Sequence, residues 1–226
     1  MIDLSPLWLT AELALITTAI LFVLSIPLCY WLAFSNFKFK VVIEAIVSLP
    51  LVLPPSVLGF YLLLAFSPEN EFGKFLDHYF DTRLVFTFEG LIIASVIYSL
   101  PFMVHPLQSG LKNLPVSLRE ASYTLGKSKT TTLFKILLPN IKPSLLTGLV
   151  LTFAHTIGEF GVVLMVGGSI PCETKVVSIS IYDEVQAMNY ENANVYAGIL
   201  FVFTFLILLS VYFINQSFTK TNPLND

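Results

Sequence analysis

The chain has 226 residues, of which 55% are apolar and only 12% are Asp, Glu, Lys or Arg, with a net charge of −3. Soluble domains carry about 25% charged residues; with a mean hydropathy of +0.80, this composition excludes a soluble enzyme domain and a disordered region. No basic stripe is present for nucleic acid, and the two distant cysteines and three histidines supply neither a disulfide scaffold nor a metal-ligand spacing.

An integral membrane protein remains. Five apolar stretches follow one another, at Thr10–Phe34, Ile46–Phe66, Leu84–Val104, Pro143–Val166 and Val195–Ile214, none with Lys or Arg. Each reaches the roughly 20 residues a helical span needs, and with no period-2 alternation they are expected to be helices. The first has Asp3 and Glu12 where a signal peptide has a basic region, so it is expected to persist as a span. The expected fold is all-α and membrane-integral, one domain over 1–226.

Nine of the twelve cations fall on one side: Lys38 and Lys40 in the first connection, six between Lys112 and Lys142, and Lys220 in the tail. The other side holds Lys74, Arg83 and Lys175, and also most acids, including Glu69, Glu71, Asp77, Asp81 and Asp183. The positive-inside rule places the N-terminus outside and the C-terminus in the cytoplasm. In the second span, Pro50, Pro54 and Pro55 remove backbone donors and bend the helix, giving either a pathway-lining break or a kink for packing. In the next outer loop, Phe72, Phe75, Leu76, Tyr79 and Phe80 share one helical face. That face suits a helix lying in the lipid interface; the alternative is that Glu71, Lys74 and Asp77 touch an external partner. Val176–Met188 carries Asp183 and Glu184, which favours a short re-entrant piece over a sixth crossing.

The inner connection, 107–142, is the most informative segment. Pro115 breaks the preceding structure, and Ser117-Leu118-Arg119-Glu120 has the form of a capping box. Leu118, Ala121, Ser122 and Leu125 share a face, and Gly126 is placed to close the helix in a left-handed turn. A helix of two turns is marginal alone in water, so a packing partner is expected, in this loop another protein.

Glu120-Ala121, Gly126, Ile136 and Leu138-Pro139 resemble the EAA signature of ABC importer permeases, with Ser122 where the second Ala usually stands. The stretch from Leu49-Pro50 through Pro54-Pro55-Ser56 to Phe60-Tyr61, and Gly158-Glu159-Phe160-Gly161 with Gly168 and Ile170-Pro171, resemble molybdate permeases. Sulfate and tungstate permeases share much of this pattern. Cys172 departs from it, occupying a position where Gly is common. The resemblance covers most of the chain and implies the five-span, MetI-like transmembrane domain of a type I importer. It implies a homodimer in the bacterial inner membrane, a cytoplasmic ATPase dimer that holds ATP and Mg, and an external oxyanion-binding protein. It also implies that Leu118–Leu125 is the coupling helix. The chain itself has no G-x-x-x-x-G-K-[ST] loop, so neither enzyme activity nor a bound cofactor is expected of it.

Glu159 is the one acid deep in a span, a functional candidate by default. A carboxylate repels an oxyanion, so a structural or gating role is expected, with His155 one turn below as a possible partner or a packing residue. No span holds a cationic cage; backbone N–H groups and the Ser56 and Thr156 hydroxyls are expected to pass the anion weakly. Pro54, Pro55, Gly158 and Gly161 complete the expected pathway set. An enzyme would need a second acid or a Ser/His pair at the same depth, and a secondary transporter inverted repeats; neither is evident.

Overall fold

A computed structural model describes residues 3–80 and 82–220; Asp81 lies outside the described residues, and of Phe80, Val211 and 214–220, Lys220 included, only the helical backbone is described. Twelve α-helices and one π turn make up the described residues. The first, α1 (Ser5–Phe34), packs along α5 (Phe88–Lys112), and both pack against α9 (Lys142–Ile157). These three helices form the centre. Leu21, Cys29, Leu32, Met103, Leu107, Leu111 and Leu137 fill its inner half, and Leu13, Leu91, Val163 and Ile179 fill part of its outer half.

The second apolar stretch forms two helices, α2 (Lys40–Val52) and α3 (Pro55–Phe66), bent by 113°. The cause is local: Pro54 stands at the N-cap of α3 with extended ψ of 136°, and Pro55 opens it, a position where its missing N–H costs nothing. The lower helix, α2, lies on the inner half of α5. There Glu44 accepts hydrogen bonds from Gln108 (2.5 Å) and Lys112 (3.1 Å). The upper helix, α3, packs on α10 (Gly161–Gly167). The outer-loop helix is α4 (Glu71–Phe80). Phe72, Phe75 and Tyr79 on it stay exposed while Leu76 packs beneath, the disposition of a helix lying in lipid headgroups.

On the inner side come α6 (Val116–Thr124), α7 (Lys129–Thr132), a π turn at Leu133–Leu137 and α8 (Leu138–Asn140), before the chain turns by 80° into α9. The π turn has a clear origin. Pro139 would clash with the Lys135 carbonyl in a regular α-helix, and the widened turn moves that carbonyl aside.

The segment beyond α10 forms α11 (Val177–Gln186), whose ten residues are too few to cross a bilayer. Its first turn sits against the middle of the bundle: Val177 N–H donates to Thr10 Oγ1 (2.9 Å) and Ser178 Oγ donates to the Glu159 carbonyl (2.5 Å). Burial raises the Asp183 carboxyl, but Lys175 (2.8 Å) and Ser169 (2.6 Å) outweigh it and hold the group below the usual carboxylate range. The last helix, α12 (Tyr190–Lys220), exposes Phe201, Val202, Phe203, Phe205 and Leu206, a face for lipid or another transmembrane helix.

Cys172 has φ of +63°, the left-handed region where glycine is favoured. A Cβ there costs about 1–2 kcal/mol, against roughly 0.5–1 kcal/mol of extra chain entropy that glycine loses on folding. Cys172→Gly is therefore expected to stabilise the fold by about 0.5–1 kcal/mol, seen as a higher thermal midpoint in detergent. A lower midpoint would mean that the cysteine side chain holds the turn.

Candidate functional site

Two places carry the residues singled out in the sequence. The first is α6. Its N-cap is Pro115, with no side-chain cap, so the expected capping box is not formed. Pro115 has ψ of 132° and starts the helix at Val116, which puts Ser117 inside the first turn, where its hydroxyl cannot cap. The C-terminal end matches the expectation. Gly126 has φ of +72°; its N–H donates to the Tyr123 carbonyl (2.9 Å) and Lys127 N–H to the Ser122 carbonyl (3.1 Å), the paired bonds of a Schellman motif.

The expected face of α6 divides in two. Leu118 is half-buried and Ser122 is buried, whereas Glu120, Ala121 and Leu125 are exposed. Ser122 Oγ lies 2.8 Å from Thr132 Oγ1, whose own proton goes to the Ser128 carbonyl (2.9 Å). Ser122 is thus the donor, and the hydroxyl that departs from the EAA pattern ties α6 to α7. Two further links were not legible in the sequence. The Tyr123 hydroxyl meets that of Tyr30 on α1 at 3.0 Å, and the Arg119 guanidinium lies 4.5 Å above the ring centre of Phe34. A cation over an aromatic face is worth about 0.5–1 kcal/mol when exposed. Farther on, Ile136 is half-buried within the π turn, Leu138 packs into the inner core and Pro139 is exposed.

The second place is a cleft of about 540 Å³ where α9 breaks before α10. Pro55, Ser56, Gly158, Glu159 and Gly161 line it together, joined by Tyr98 of α5. It is built by a close helix approach: a Cβ on Gly161 would stand 2.7 Å from Pro55 Cβ, and one on Gly59 2.9 Å from Met165 Cβ. Gly158, by contrast, would meet nothing nearer than 3.7 Å, so no steric demand explains it. Pro54 sets the bend without lining the cleft. Thr156 is buried, and its hydroxyl donates to the Thr152 carbonyl (2.9 Å) and meets Ser99 Oγ (3.0 Å), which turns it away from the cleft.

Glu159 is 3% exposed, and neither carboxylate oxygen has a hydrogen-bond partner. Ser95 Oγ lies beside it without reaching bonding geometry. Nor does His155 serve it: Nδ1 of that ring meets Ser99 Oγ at 2.9 Å, and the ring stacks on Phe102 at 3.8 Å. His155 is a packed, satisfied residue, and Glu159 is the one acid lining the cleft among the described residues. The neighbouring backbone is secured by Ser178 from α11.

A helical membrane bundle with a surface helix on its cation-rich side and a central cleft beside a helix break suits a transport component. The fold matches that of a bacterial alginate ABC transporter solved in complex with an alginate pentasaccharide-bound periplasmic protein, with a TM-score of 0.76, 20% identity and coverage of 97% of this chain and 80% of that one. The chain is 45% identical over 210 residues to the molybdenum transport system permease protein ModB of Azotobacter vinelandii, covering 93% of each. It is 31% identical over 185 residues to the sulfate transport system permease protein CysT of Salmonella typhimurium, covering 82% of this chain and 66% of that one. Residues 25–220 match the binding-protein-dependent transport system inner membrane component family, and the chain belongs to that family.

Proposed function

We propose that this chain is the permease subunit of an ATP-driven molybdate importer. The observation that carries the substrate is the 45% identity to the Azotobacter vinelandii molybdenum permease along nearly the whole of both chains. In this reading one permease domain spans 1–226, two copies form the pathway, an external binding protein delivers the oxyanion, and a cytoplasmic ATPase pair hydrolyses ATP with Mg. The test is uptake of radiolabelled molybdate by vesicles holding the reconstituted complex, with sulfate and tungstate as competitors. No uptake of molybdate, with uptake of radiolabelled sulfate by the same vesicles, would assign the chain to sulfate, which the resemblance to CysT makes the second reading.

Coupling follows from the links around α6. The exposed Glu120, Ala121 and Leu125 are the side offered to the ATPase. Leu118 and Ser122, with the Tyr123–Tyr30 and Arg119–Phe34 contacts, transmit its movement to α1 and α7. Beyond the π turn, α9 runs about 24 Å, at 1.5 Å per residue over its 16 residues, to the break at Glu159. A rigid displacement of α6 therefore reaches the cleft along α1 and α9, and alternating access results from motion of packed helices about the cleft. Backbone N–H groups at the break and the Ser56 hydroxyl offer the anion shallow binding, and Glu159 serves in gating.

Replacing Gly126 by valine forces a β-branched residue to φ of +72°, at a cost of about 1–2 kcal/mol or more at the end of α6. This variant, and Glu120→Ala on the exposed face, are expected to lose co-purification with the ATPase while remaining folded in the membrane. Assembly and ATP-driven uptake retained in both would refute the coupling assignment.

A further inference from the structure

A second cavity, of about 310 Å³, opens on the side that the lysines and arginines mark as cytoplasmic. It lies where the C-terminal ends of α1 and α5 meet the N-terminal ends of α2 and α6. Lys40, Lys112 and Arg119 line it, and no acid does among the described residues. Two of the three are held in place from behind. Lys112 Nζ is 3.1 Å from Glu44 Oε1, and the Arg119 guanidinium carbon lies over the Phe34 ring, 4.5 Å from its centre. A cation–π contact consumes no N–H donor in a hydrogen bond, so the guanidinium keeps its donors for an acceptor. Neither Arg119 nor Lys40 has an ion-pair partner among the described residues. The first turns of α2 and α6 have no side-chain cap and bring positive helix ends to the cavity, opposing the negative C-terminal ends of α1 and α5, so the three cationic side chains set its sign.

The surroundings set the level of this cavity in the membrane. Trp31, Phe37 and Phe39 form a run of ring contacts at 6.0 and 5.7 Å, and Val41 and Val42 beyond them are exposed. Aromatic side chains next to exposed aliphatic ones mark the water–hydrocarbon boundary. A volume near the lower end for ligand sites, which span about 300–1,000 Å³, suits a headgroup with its chains left outside.

We propose that this cavity binds the phosphate headgroup of an anionic phospholipid of the inner leaflet, with its acyl chains lying over Phe39, Val41 and Val42. Basic pockets between spans on the cytoplasmic side have this use. Because Arg119 belongs to α6 and Lys112 to α5, a bound headgroup joins the surface helix to the central bundle.

The chain has two tryptophans, and Trp8→Phe leaves Trp31, beside the cavity, as a fluorescent reporter in the full-length protein. Titration with phosphatidylglycerol carrying brominated acyl chains is expected to quench Trp31 at a several-fold lower mole fraction than brominated phosphatidylcholine. Among the described residues Lys40→Gln breaks no side-chain hydrogen bond or contact ion pair, removing only a longer-range attraction to Glu44, and it is expected to reduce that preference about five-fold. Adding Arg119→Gln reduces it by a similar factor, while Lys40→Arg retains it. Equal quenching by the two lipids in the parent protein, or an unchanged preference in Lys40→Gln, would overturn the proposal. Displacement of the brominated phosphatidylglycerol by millimolar inorganic phosphate would overturn the lipid assignment in favour of a free anion.

Discussion

Replacing Glu159 by methionine is expected to make the resting protein harder to unfold while abolishing uptake. The carboxyl is 3% exposed and both its oxygens lack partners. A buried polar group left unsatisfied costs about 1–3 kcal/mol, and an apolar side chain of similar volume removes that cost. Packing alone therefore predicts a gain of this order for Glu159→Met, measured as a rise in the thermal midpoint of the purified chain. A gating role predicts the opposite for transport, since a group kept at a cost in one state is expected to find its partners in the other. Glu159→Gln keeps the shape and a hydrogen-bonding head, and is expected to fall between the two. Wild-type uptake in the methionine variant would remove Glu159 from the mechanism. An unchanged midpoint would show that the carboxyl is already satisfied in the resting state.

The second large effect is expected at Gly161. A side chain there meets Pro55 Cβ at 2.7 Å and the Ser56 backbone nitrogen at 3.2 Å, and backbone cannot yield as a flexible side chain does. Gly161→Val is expected to force α10 away from α3, at about 1–3 kcal/mol for an overpacked contact, and to close the cleft beside Glu159. Small residues at such crossings let helices in a bilayer gain packing contacts at close range, so the loss is of both stability and pathway shape. Gly158→Ala is the control, because its Cβ meets nothing nearer than 3.7 Å. Uptake rates and thermal midpoints of the two variants are the measurement. Equal behaviour of both would show that the α3–α10 approach does not shape the pathway.

The local features were legible where a single residue's backbone preference decides the outcome. Gly126 closes α6 in a left-handed turn because a side chain is strained there, and Pro54-Pro55 divides the second apolar stretch because neither can continue a helix. The capping box failed for the same kind of reason. Ser117 and Glu120 have the right spacing, but Pro115 takes the cap position two residues early. The cleft was partly legible: Pro55, Ser56, Gly158, Glu159 and Gly161 meet there, while Thr156, only three residues before Glu159, points to Ser99 instead. That outcome depends on how α9 is rotated against α5, which no local pattern encodes.

The few charges and their distribution were enough to point to a membrane protein with its cation-rich face inside, and the spacing from Glu120 to Pro139 was enough to mark the segment that resembles the EAA signature and that the proposed function turns toward the ATPase. These are properties of composition and of local order along the chain. Only the tertiary structure decided what holds that segment. Tyr30 and Tyr123 are 93 residues apart in sequence, Lys40, Lys112 and Arg119 come from three different helices, and the cleft is closed by two glycines on facing helices. Contacts of that range are set by helix rotation and bend angle, which depend on the packing of the whole bundle.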